Sequence, residues 1–144
     1  MTLLHEWSKT DALRRAWRRV RRNKGMAGGD GQTLEHFARD LDMRLSALSG
    51  ALRGRYRPGP VKRLSIAKAG SGKRLLAIPC VRDRVAQAAC AEALDALLDA
   101  GMSNASFAYR RGRSVEHAAG LVTAYRLRGY RWAVDGDIET YFDT

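Results

Sequence analysis

Apolar residues recur at steps of three and four in four segments of the chain, a spacing typical of amphipathic helices. In the first segment Leu13, Trp17 and Val20 form the apolar stripe. Thr33 and Ser114 precede the second and fourth segments as N-cap residues. The predicted helices span 10–23, 33 to about 54, 83–100 and 114 to about 128. The residues predicted to be buried on the second and third helices are Phe37, Leu41, Leu45, Leu48, Leu52, Val85, Ala89, Leu94, Leu97 and Leu98.

Three short runs have the character of β-strands instead. Residues 61–67 and 74–78 flank a glycine-containing segment, which predicts a β-hairpin. Residues 130–137 alternate between apolar and polar positions and predict a further strand. Helices, hairpin and strand in this order predict an α+β fold, mostly helical, with no internal repeat and no low-complexity linker.

Composition adds a strong positive charge to this picture. The 144 residues include 26 Lys and Arg against 15 Asp and Glu, a formal charge of +11, so polyanions are the expected partners. No apolar run approaches the roughly 20 residues of a spanning helix, and because the first residues lack a basic segment followed by an apolar one, they are not expected to form a signal peptide. Cys80 and Cys90 lack metal-like spacing and are expected to be unpaired. These features predict a cytoplasmic protein that does not bind membranes.

The first predicted helix carries six arginines and no acidic residue after Asp11. Such a surface is either a solvated helix face or a contact for nucleic acid, and mutual repulsion of the arginines favours the second interpretation. The glycine-rich stretch 23–33 that follows lacks the residue order of a P-loop and is either a connector or a contact loop. Lys68, Lys73 and Arg74 flank the hairpin tip, where they would either reach phosphates or protect a sheet edge.

The stretch 132–143 is an apolar segment that runs into Asp137, Ile138 and an aromatic pair. It has the appearance of half of a metal site, because polymerase-type phosphoryl transfer holds its ions between carboxylates of separate strands. A second acidic strand is not part of the 144 residues. The alternative role of Asp137 is to cap the turn after the strand.

Four segments in order resemble bacterial reverse transcriptases of the group II intron-like branch, which includes intron maturases and CRISPR-associated enzymes. They are Asn23-Lys-Gly-x-Ala-Gly-x-Asp-Gly-x-Thr33, Ile66-x-Lys68 with Lys73-Arg74-x-Leu-x-Ile-Pro79, Phe107-x-Tyr-Arg-x-Gly-Arg-Ser114 and Asp137-Ile-x-x-Tyr-Phe-Asp143. The resemblance implies an N-terminal extension and fingers over residues 1–129 and the truncated start of a right-hand polymerase palm over 130–144. It also implies RNA-directed DNA polymerase activity in a longer chain, with this fragment alone inactive.

The resemblance assigns roles at the reaction centre. Asp137 is implied as the first catalytic and metal-binding aspartate, with the backbone carbonyl of Ile138 on the same ion. The cofactor is Mg²⁺, two ions in the full enzyme, with the site expected to be empty in the fragment. Lys68 and Arg74 are implied to bind the triphosphate of an incoming dNTP. Phe142 is implied to exclude the 2′-hydroxyl of a ribonucleotide.

The resemblance also assigns nucleic-acid contacts. Tyr109, Arg110, Arg111 and Arg113 match the segment that holds template RNA through phosphates and sugars. The glycine loop and the arginine helix, through Arg18 and Arg22, match a region that contacts template or bound RNA. The implied partners are an RNA template, a DNA or RNA primer, and intron RNA or CRISPR adaptation proteins, with a dimer through the palm strand edge as a further expectation. The alternative function is a stand-alone basic RNA-binding module without catalysis.

Overall fold

The computed structural model describes residues 3–67 and 73–138, without the side chains of Leu3, Leu4 and Arg74. It confirms a mostly helical α+β fold with an antiparallel hairpin. The chain falls into two compact units, unit one over residues 1–100 and unit two over 101–144. The elements are α1 Leu3–Trp7, α2 Thr10–Arg22, α3 Leu34–Arg39, α4 Leu41–Arg53, β1 Lys62–Ala67, β2 Lys73–Ile78, α5 Val81–Leu98, a 3₁₀ turn Asp99–Gly101 and α6 Val115–Leu127.

The core of unit one is built around the apolar face of α2. Leu13, Trp17 and Val20 are buried, as their helical spacing predicts. The rings of Trp17 and Phe37 lie 5.1 Å apart between centroids, so α3 joins this core through an aromatic contact. The remaining core residues come from α4 and from the first half of α5.

The helix predicted from residue 33 to about 54 is two helices in the structure. Thr33 caps α3 as predicted, because its side chain accepts a hydrogen bond from the backbone N–H of His36 at 3.1 Å. Asp40 then leaves the helical region, with φ −120° and ψ 43°, and α4 begins at Leu41. The apolar stripe continues across this break without a change in spacing, so periodicity alone did not reveal it.

The predicted hairpin is confirmed. β1 and β2 pair antiparallel, with Lys62 opposite Ile78 and Ala67 opposite Lys73. Arg74 lies opposite Ile66 in this register. The tip of the hairpin, residues 68–72, lies outside the described residues.

α5 begins at Val81, two positions before the predicted start, and only its first half is buried. Val85 and Ala89 are buried as predicted, but burial of Leu94, Leu97 and Leu98 was wrong: they are 38%, 60% and 54% exposed. The 18 residues of α5 rise about 27 Å, whereas the 13 residues of α2 beside it rise about 20 Å. The last two turns of α5 therefore extend past the end of α2, and no described core residue covers their leucines.

Unit two contains α6 and the segments on either side of it. Ser114 caps α6 as predicted, accepting from the backbone N–H of His117 at 3.4 Å. Residues 130–138 form no strand, in contrast with the alternation that predicted one over 130–137. A β-strand is defined by hydrogen bonds to a neighbouring strand. No described residue forms such bonds with this segment, because the sheet among the described residues contains β1 and β2 alone. The boundary predicted at 129 and 130 between fingers and palm stays a prediction.

Candidate nucleic-acid and nucleotide-binding surfaces

The six arginines of α2 differ in what they contact. Arg14 forms an ion pair with Asp42 of α4, and Arg15 donates to Glu92 of α5 at 2.9 Å. These two exposed ion pairs link α2 to α4 and α5. Hydrogen bonds from the backbone N–H of Glu35 and from Thr33 hold the pKa of the Glu35 carboxyl below its usual range, and the charge of Arg21 makes a smaller contribution in the same direction.

The guanidinium groups of Arg18, Arg19 and Arg22 are exposed and form no ion pair with any carboxylate in the described part of the chain. Arg18 and Arg22 lie on the side of α2 opposite the buried Leu13 and Trp17, and Arg19 lies at the edge of the buried face. An anionic ligand at this face would meet three cations without having to break an existing ion pair. The predicted RNA contact of Arg18 and Arg22 stays a prediction, and the geometry is compatible with it.

A buried carboxylate that sequence reasoning missed joins the base of the hairpin to α5. Asp83 is 3% exposed and accepts hydrogen bonds from the hydroxyl of Tyr56 and, at 2.7 Å, from the backbone N–H of Gly59. Arg82 approaches the same carboxylate at 3.4 Å, donates to the carbonyl of Arg57 at 2.7 Å, and lies 5.4 Å from the ring centroid of Tyr56. These contacts hold the segment that enters β1 against the first turn of α5. We call this group the hairpin junction.

The glycine loop is fastened to the same junction. Gly29 donates its backbone N–H to the carbonyl of Pro60 at 3.2 Å, and Arg84 donates to the carbonyl of Met26 at 2.7 Å. A Cβ atom on Gly28 would lie 2.5 Å from the backbone nitrogen of Cys80, so only glycine fits there. The loop is therefore more than a connector, because its backbone packs against the residues before β1 and after β2 at the base of the hairpin.

Two side chains at the junction have pKa values raised above their ordinary range. Burial is the main cause for Tyr56, and the adjacent carboxylate of Asp83 adds to it, both by accepting the phenolic proton and by its charge. Burial likewise raises the pKa of the Cys80 thiol, which donates to the carbonyl of Pro60 at 3.2 Å. Cys80 and Cys90 are both free thiols, as predicted. Neither group is activated for nucleophilic chemistry at neutral pH, because each is held in its protonated form.

A cleft of about 440 Å³ opens beside the junction. Its lining includes the apolar residues Phe37 and Leu48 and the charged residues Asp30, Arg44 and Arg82. The Nε atom of Arg44 is buried and has no hydrogen-bond partner among the described residues, while the guanidinium lies 5.6 Å from the centroid of the Phe37 ring. The cleft therefore combines apolar residues with two arginines and one aspartate.

In unit two, Arg110 and Arg113 contact their own loop. Arg110 donates to the carbonyls of Ser103 and Ser106 at 2.8 and 3.0 Å. Arg113 donates to the carbonyl and the side-chain oxygen of Asn104, both at 3.3 Å. Two of the arginines predicted to hold template thus fix the loop that carries them.

In the same loop, the two other residues predicted to contact template, Tyr109 and Arg111, have solvent-exposed side chains. Tyr109 is completely exposed, and Arg111 is exposed and forms no side-chain hydrogen bond or ion pair with a described residue. Unit two therefore presents an aromatic ring and a cation on a braced loop.

Asp137 and Ile138 are exposed in the segment after α6. One carboxylate oxygen of Asp137 accepts the backbone N–H of Ile138 at 3.0 Å. Within residues 3–67 and 73–138, no group of three or more His, Cys, Asp or Glu side chains could hold a metal ion. Carboxylate and carbonyl oxygens are the donors that Mg²⁺ prefers, so Asp137 and Ile138 fit this ion as part of a ligand set. Lys68 and Phe142 lie outside the described residues, as does the side chain of Arg74.

No helix within the described residues combines the length and the apolar character that crossing a membrane requires. The candidate residues are distributed over both units: Arg18, Arg22 and Arg74 belong to unit one, and Tyr109, Arg111 and Asp137 to unit two. The pattern of charges in the sequence suggested most of these candidate residues, and their binding roles stay predictions. It did not single out Asp83, whose only signal is its position directly after the start of a helix that follows a hairpin.

No protein-family model matches the chain. Curated proteins similar to it include protein YkfC of Escherichia coli (strain K12), 37% identical over 98 residues, or 65% of this chain and 26% of that protein. An uncharacterized 91 kDa protein in a cob intron of Schizosaccharomyces pombe is 30% identical over 131 residues, 90% of this chain and 16% of that protein. A putative COX1/OXI3 intron 1 protein of Saccharomyces cerevisiae is 29% identical over 143 residues, 99% of this chain and 17% of that protein.

Two of these relatives are named for the introns in which they are found, so the chain is related to intron-encoded proteins. It spans between 16% and 26% of the length of the relatives described here. The intron-like half of the predicted resemblance thus has support, while the CRISPR-associated half stays a prediction.

Proposed function

We propose that the chain forms the fingers and the start of the palm of an RNA-directed DNA polymerase of the intron-encoded kind, acting in the cytoplasm. The observation that carries this proposal is the similarity over 143 residues to a COX1 intron protein. That length includes all four segments on which the resemblance to reverse transcriptases rests. The confirmed hairpin supports it too, because Arg74 lies in β2 and Lys68 directly follows β1 in the sequence.

The proposed substrates are an RNA template with its primer and an incoming dNTP. Lys68 and Arg74 would bind the triphosphate, since cations on a hairpin can close over phosphate oxygens. The hairpin junction supports this role, because it fastens the base of the two strands between which these cations lie in the sequence. Phe142 would exclude ribonucleotides by occupying the space that a 2′-hydroxyl needs.

Asp137, with the carbonyl of Ile138, would hold Mg²⁺ together with ligands from elsewhere in a longer protein. When bound, the ion supplies charge neutralisation for transfer of the nucleotide to the primer hydroxyl. The exposure of Asp137 supports this role, since the carboxylate is accessible to an ion and to substrate.

The proposal is tested in the longer protein with Asp137→Asn, which keeps the size of the side chain and removes its charge. We expect template-directed DNA synthesis to fall by at least about a hundredfold, in line with loss of an electrostatic group at a reaction centre, while binding of the primer and template persists. Asp135→Asn is the matched control, two positions earlier in the same exposed segment, and should retain most activity. DNA synthesis that survives Asp137→Asn unchanged would disprove the catalytic assignment.

The exposed arginines of α2 favour a second candidate function, a basic RNA-binding module without catalysis. In that case RNA affinity depends on salt and is indifferent to Asp137. Replacing Arg18 and Arg22 by Gln should weaken binding to single-stranded RNA and reduce the slope of log affinity against log salt by about 1.4, roughly 0.7 for each lost phosphate contact.

Arg15→Gln is the control for this test, because Arg15 is engaged by Glu92. It should change the salt slope far less than the double replacement. Equal effects of the two replacements would show that the open arginines are not the binding surface. Activity of the longer protein decides between the two functions.

A further inference from the structure

Tyr109 combines two unusual properties. Its side chain is 104% exposed, the largest value among the exposed apolar and aromatic residues of the described chain. Its backbone has φ 59°, in the left-handed region that costs free energy for any residue with a Cβ atom. Such strain persists only where the surrounding structure enforces it, and it is concentrated at binding sites.

The surrounding loop does enforce this conformation. Arg110, the next residue, is anchored to the carbonyls of Ser103 and Ser106 at 2.8 and 3.0 Å. Arg113 is anchored to Asn104, and its guanidinium lies 5.7 Å from the centroid of the Phe107 ring. The loop is therefore tied on both sides of Tyr109, and the phenol ring is held outward without a ring contact to any described residue. A ring held in this way loses little conformational entropy when a ligand covers it.

The charge around the ring identifies the ligand. Residues 103–114 contain three arginines and no acidic residue. Arg111, two positions from Tyr109, is exposed and has no side-chain hydrogen bond or ion pair within the described residues. A flat aromatic surface next to an unpaired guanidinium suits a ligand that has both a π face and a phosphate. Unpaired nucleotides have both, and they stack on exposed aromatic side chains in many proteins that bind single strands.

We propose that Tyr109 is a stacking platform for one unpaired nucleobase of a single-stranded nucleic acid, whose phosphate contacts Arg111. This inference rests on the proposed function and goes beyond it, because the resemblance implies only sugar and phosphate contacts for this segment. A contact to the face of a base is tolerant of sequence but requires that a base be present. Double-stranded nucleic acid, in which the bases are covered by their neighbours, would not bind here.

The test compares two labelled probes of equal length on the 144-residue chain, an oligoadenylate and an abasic oligomer with the same phosphates. Tyr109→Asn should weaken binding of oligoadenylate roughly 5- to 150-fold, the range measured for loss of one stacked base, and leave the abasic oligomer unaffected. Tyr109→Phe keeps the ring and should bind like the original chain. Arg111→Gln should weaken binding of both probes, because it removes a phosphate contact.

A second measurement separates stacking from damage to the fold. Asn tolerates the left-handed region better than Tyr does, so Tyr109→Asn should raise the melting temperature while it lowers affinity for oligoadenylate. A folding defect would move both quantities downward. Equal binding of oligoadenylate by Tyr109→Asn and the original chain would overturn the inference.

The remaining outcomes separate this inference from the proposed function. If both probes bind the original chain equally and salt weakens them equally, the stacking platform is disproved and a phosphate-binding surface remains. If an acidic peptide binds through Tyr109 and the oligomers do not, the surface belongs to a protein partner and the inference fails. If Tyr109-dependent binding is observed but the longer protein makes no DNA, the inference holds and the polymerase proposal fails alone.

Discussion

Replacing Asp83 by Ala removes the acceptor on which the hairpin junction depends. The carboxylate accepts from the backbone of Gly59 at 2.7 Å and from the hydroxyl of Tyr56, and the more distant Arg82 contributes less at 3.4 Å. Hydrogen bonds to a charged group contribute about 1.5–3 kcal/mol each, so two of them amount to about 3–6 kcal/mol. Because Tyr56 is only partly buried and recovers some hydration, we expect Asp83→Ala to lower the free energy of unfolding by about 3–4 kcal/mol.

Asp83→Asn should cost less, about 1–2 kcal/mol. Its amide oxygen can keep the bond from Gly59, and the hydroxyl of Tyr56 can turn to accept from the new NH₂ group. The predicted order of stability is therefore Asp first, then Asn, then Ala. A purely electrostatic role for Asp83 would instead place Asn and Ala together.

Urea unfolding followed by tryptophan fluorescence measures these differences, since Trp17 is 3% exposed in the core of unit one. Asp95→Ala is the matched control, because Asp95 is an exposed residue of the same helix. It should stay within about 0.5 kcal/mol of the original chain. If Asp83→Ala unfolds at the same urea concentration as this control, the carboxylate does not hold the junction together.

The raised pKa of Tyr56 means that folding favours the protonated phenol, so its contribution to stability is complete below pH 10.0, its ordinary pKa, and decreases above it. Urea midpoints should fall above that pH in the original chain and fall less in Tyr56→Phe; parallel curves would contradict this. Gly28→Ala should destabilise by about 1–3 kcal/mol, because its Cβ would meet backbone atoms at 2.5 Å. Gly50→Ala, in a helix with open space around it, should stabilise by about 0.5–1 kcal/mol; the same sign for both would refute the packing argument. Leu97→Ala should cost less than about 1 kcal/mol and the buried Leu45→Ala about 2–5 kcal/mol, and comparable unfolding midpoints would show that Leu97 is covered in solution.

Local patterns predicted most of the secondary structure, because the interactions behind them form between residues close together in the sequence. Thr33 and Ser114 cap helices as predicted, since an N-cap bond is formed within three residues of the capping side chain. The hairpin was likewise predicted from two strand-like runs and a short connection.

The incorrect predictions concern burial and strand pairing, which depend on contacts between one element and another. Leu94, Leu97 and Leu98 have helical spacing, but their burial requires a neighbour that reaches the end of α5. The alternation over residues 130–137 describes the two faces of a strand, yet a strand also needs a partner for its hydrogen bonds. The spacing of apolar residues predicts which face of a helix or strand is apolar. It does not predict whether another element packs against that face.

The candidate site shows the same division between local and tertiary information. The sequence predicted where arginines are concentrated, because concentration is a property of the chain. It did not reveal that Arg15 is engaged by Glu92, which lies 77 positions away. Asp83 was missed for a related reason: a single acidic residue early in a helix resembles an ordinary helix-dipole contact, and its partners Tyr56 and Gly59 come from a different segment.

Arginine serves two purposes here, and the distinction has a consequence for function. Arg15 and Arg110 donate hydrogen bonds to other groups of the same chain. Arg15 links α2 to α5, and Arg110 braces the loop around Tyr109. Arg18 and Arg111 lie on the same two elements and remain open to solvent. A braced element fixes the backbone from which an open cation extends, so less backbone entropy is lost when a phosphate binds. The number of arginines in the sequence is therefore larger than the number available to bind a phosphate. The paired arginines contribute indirectly, because they brace the elements that carry the open ones.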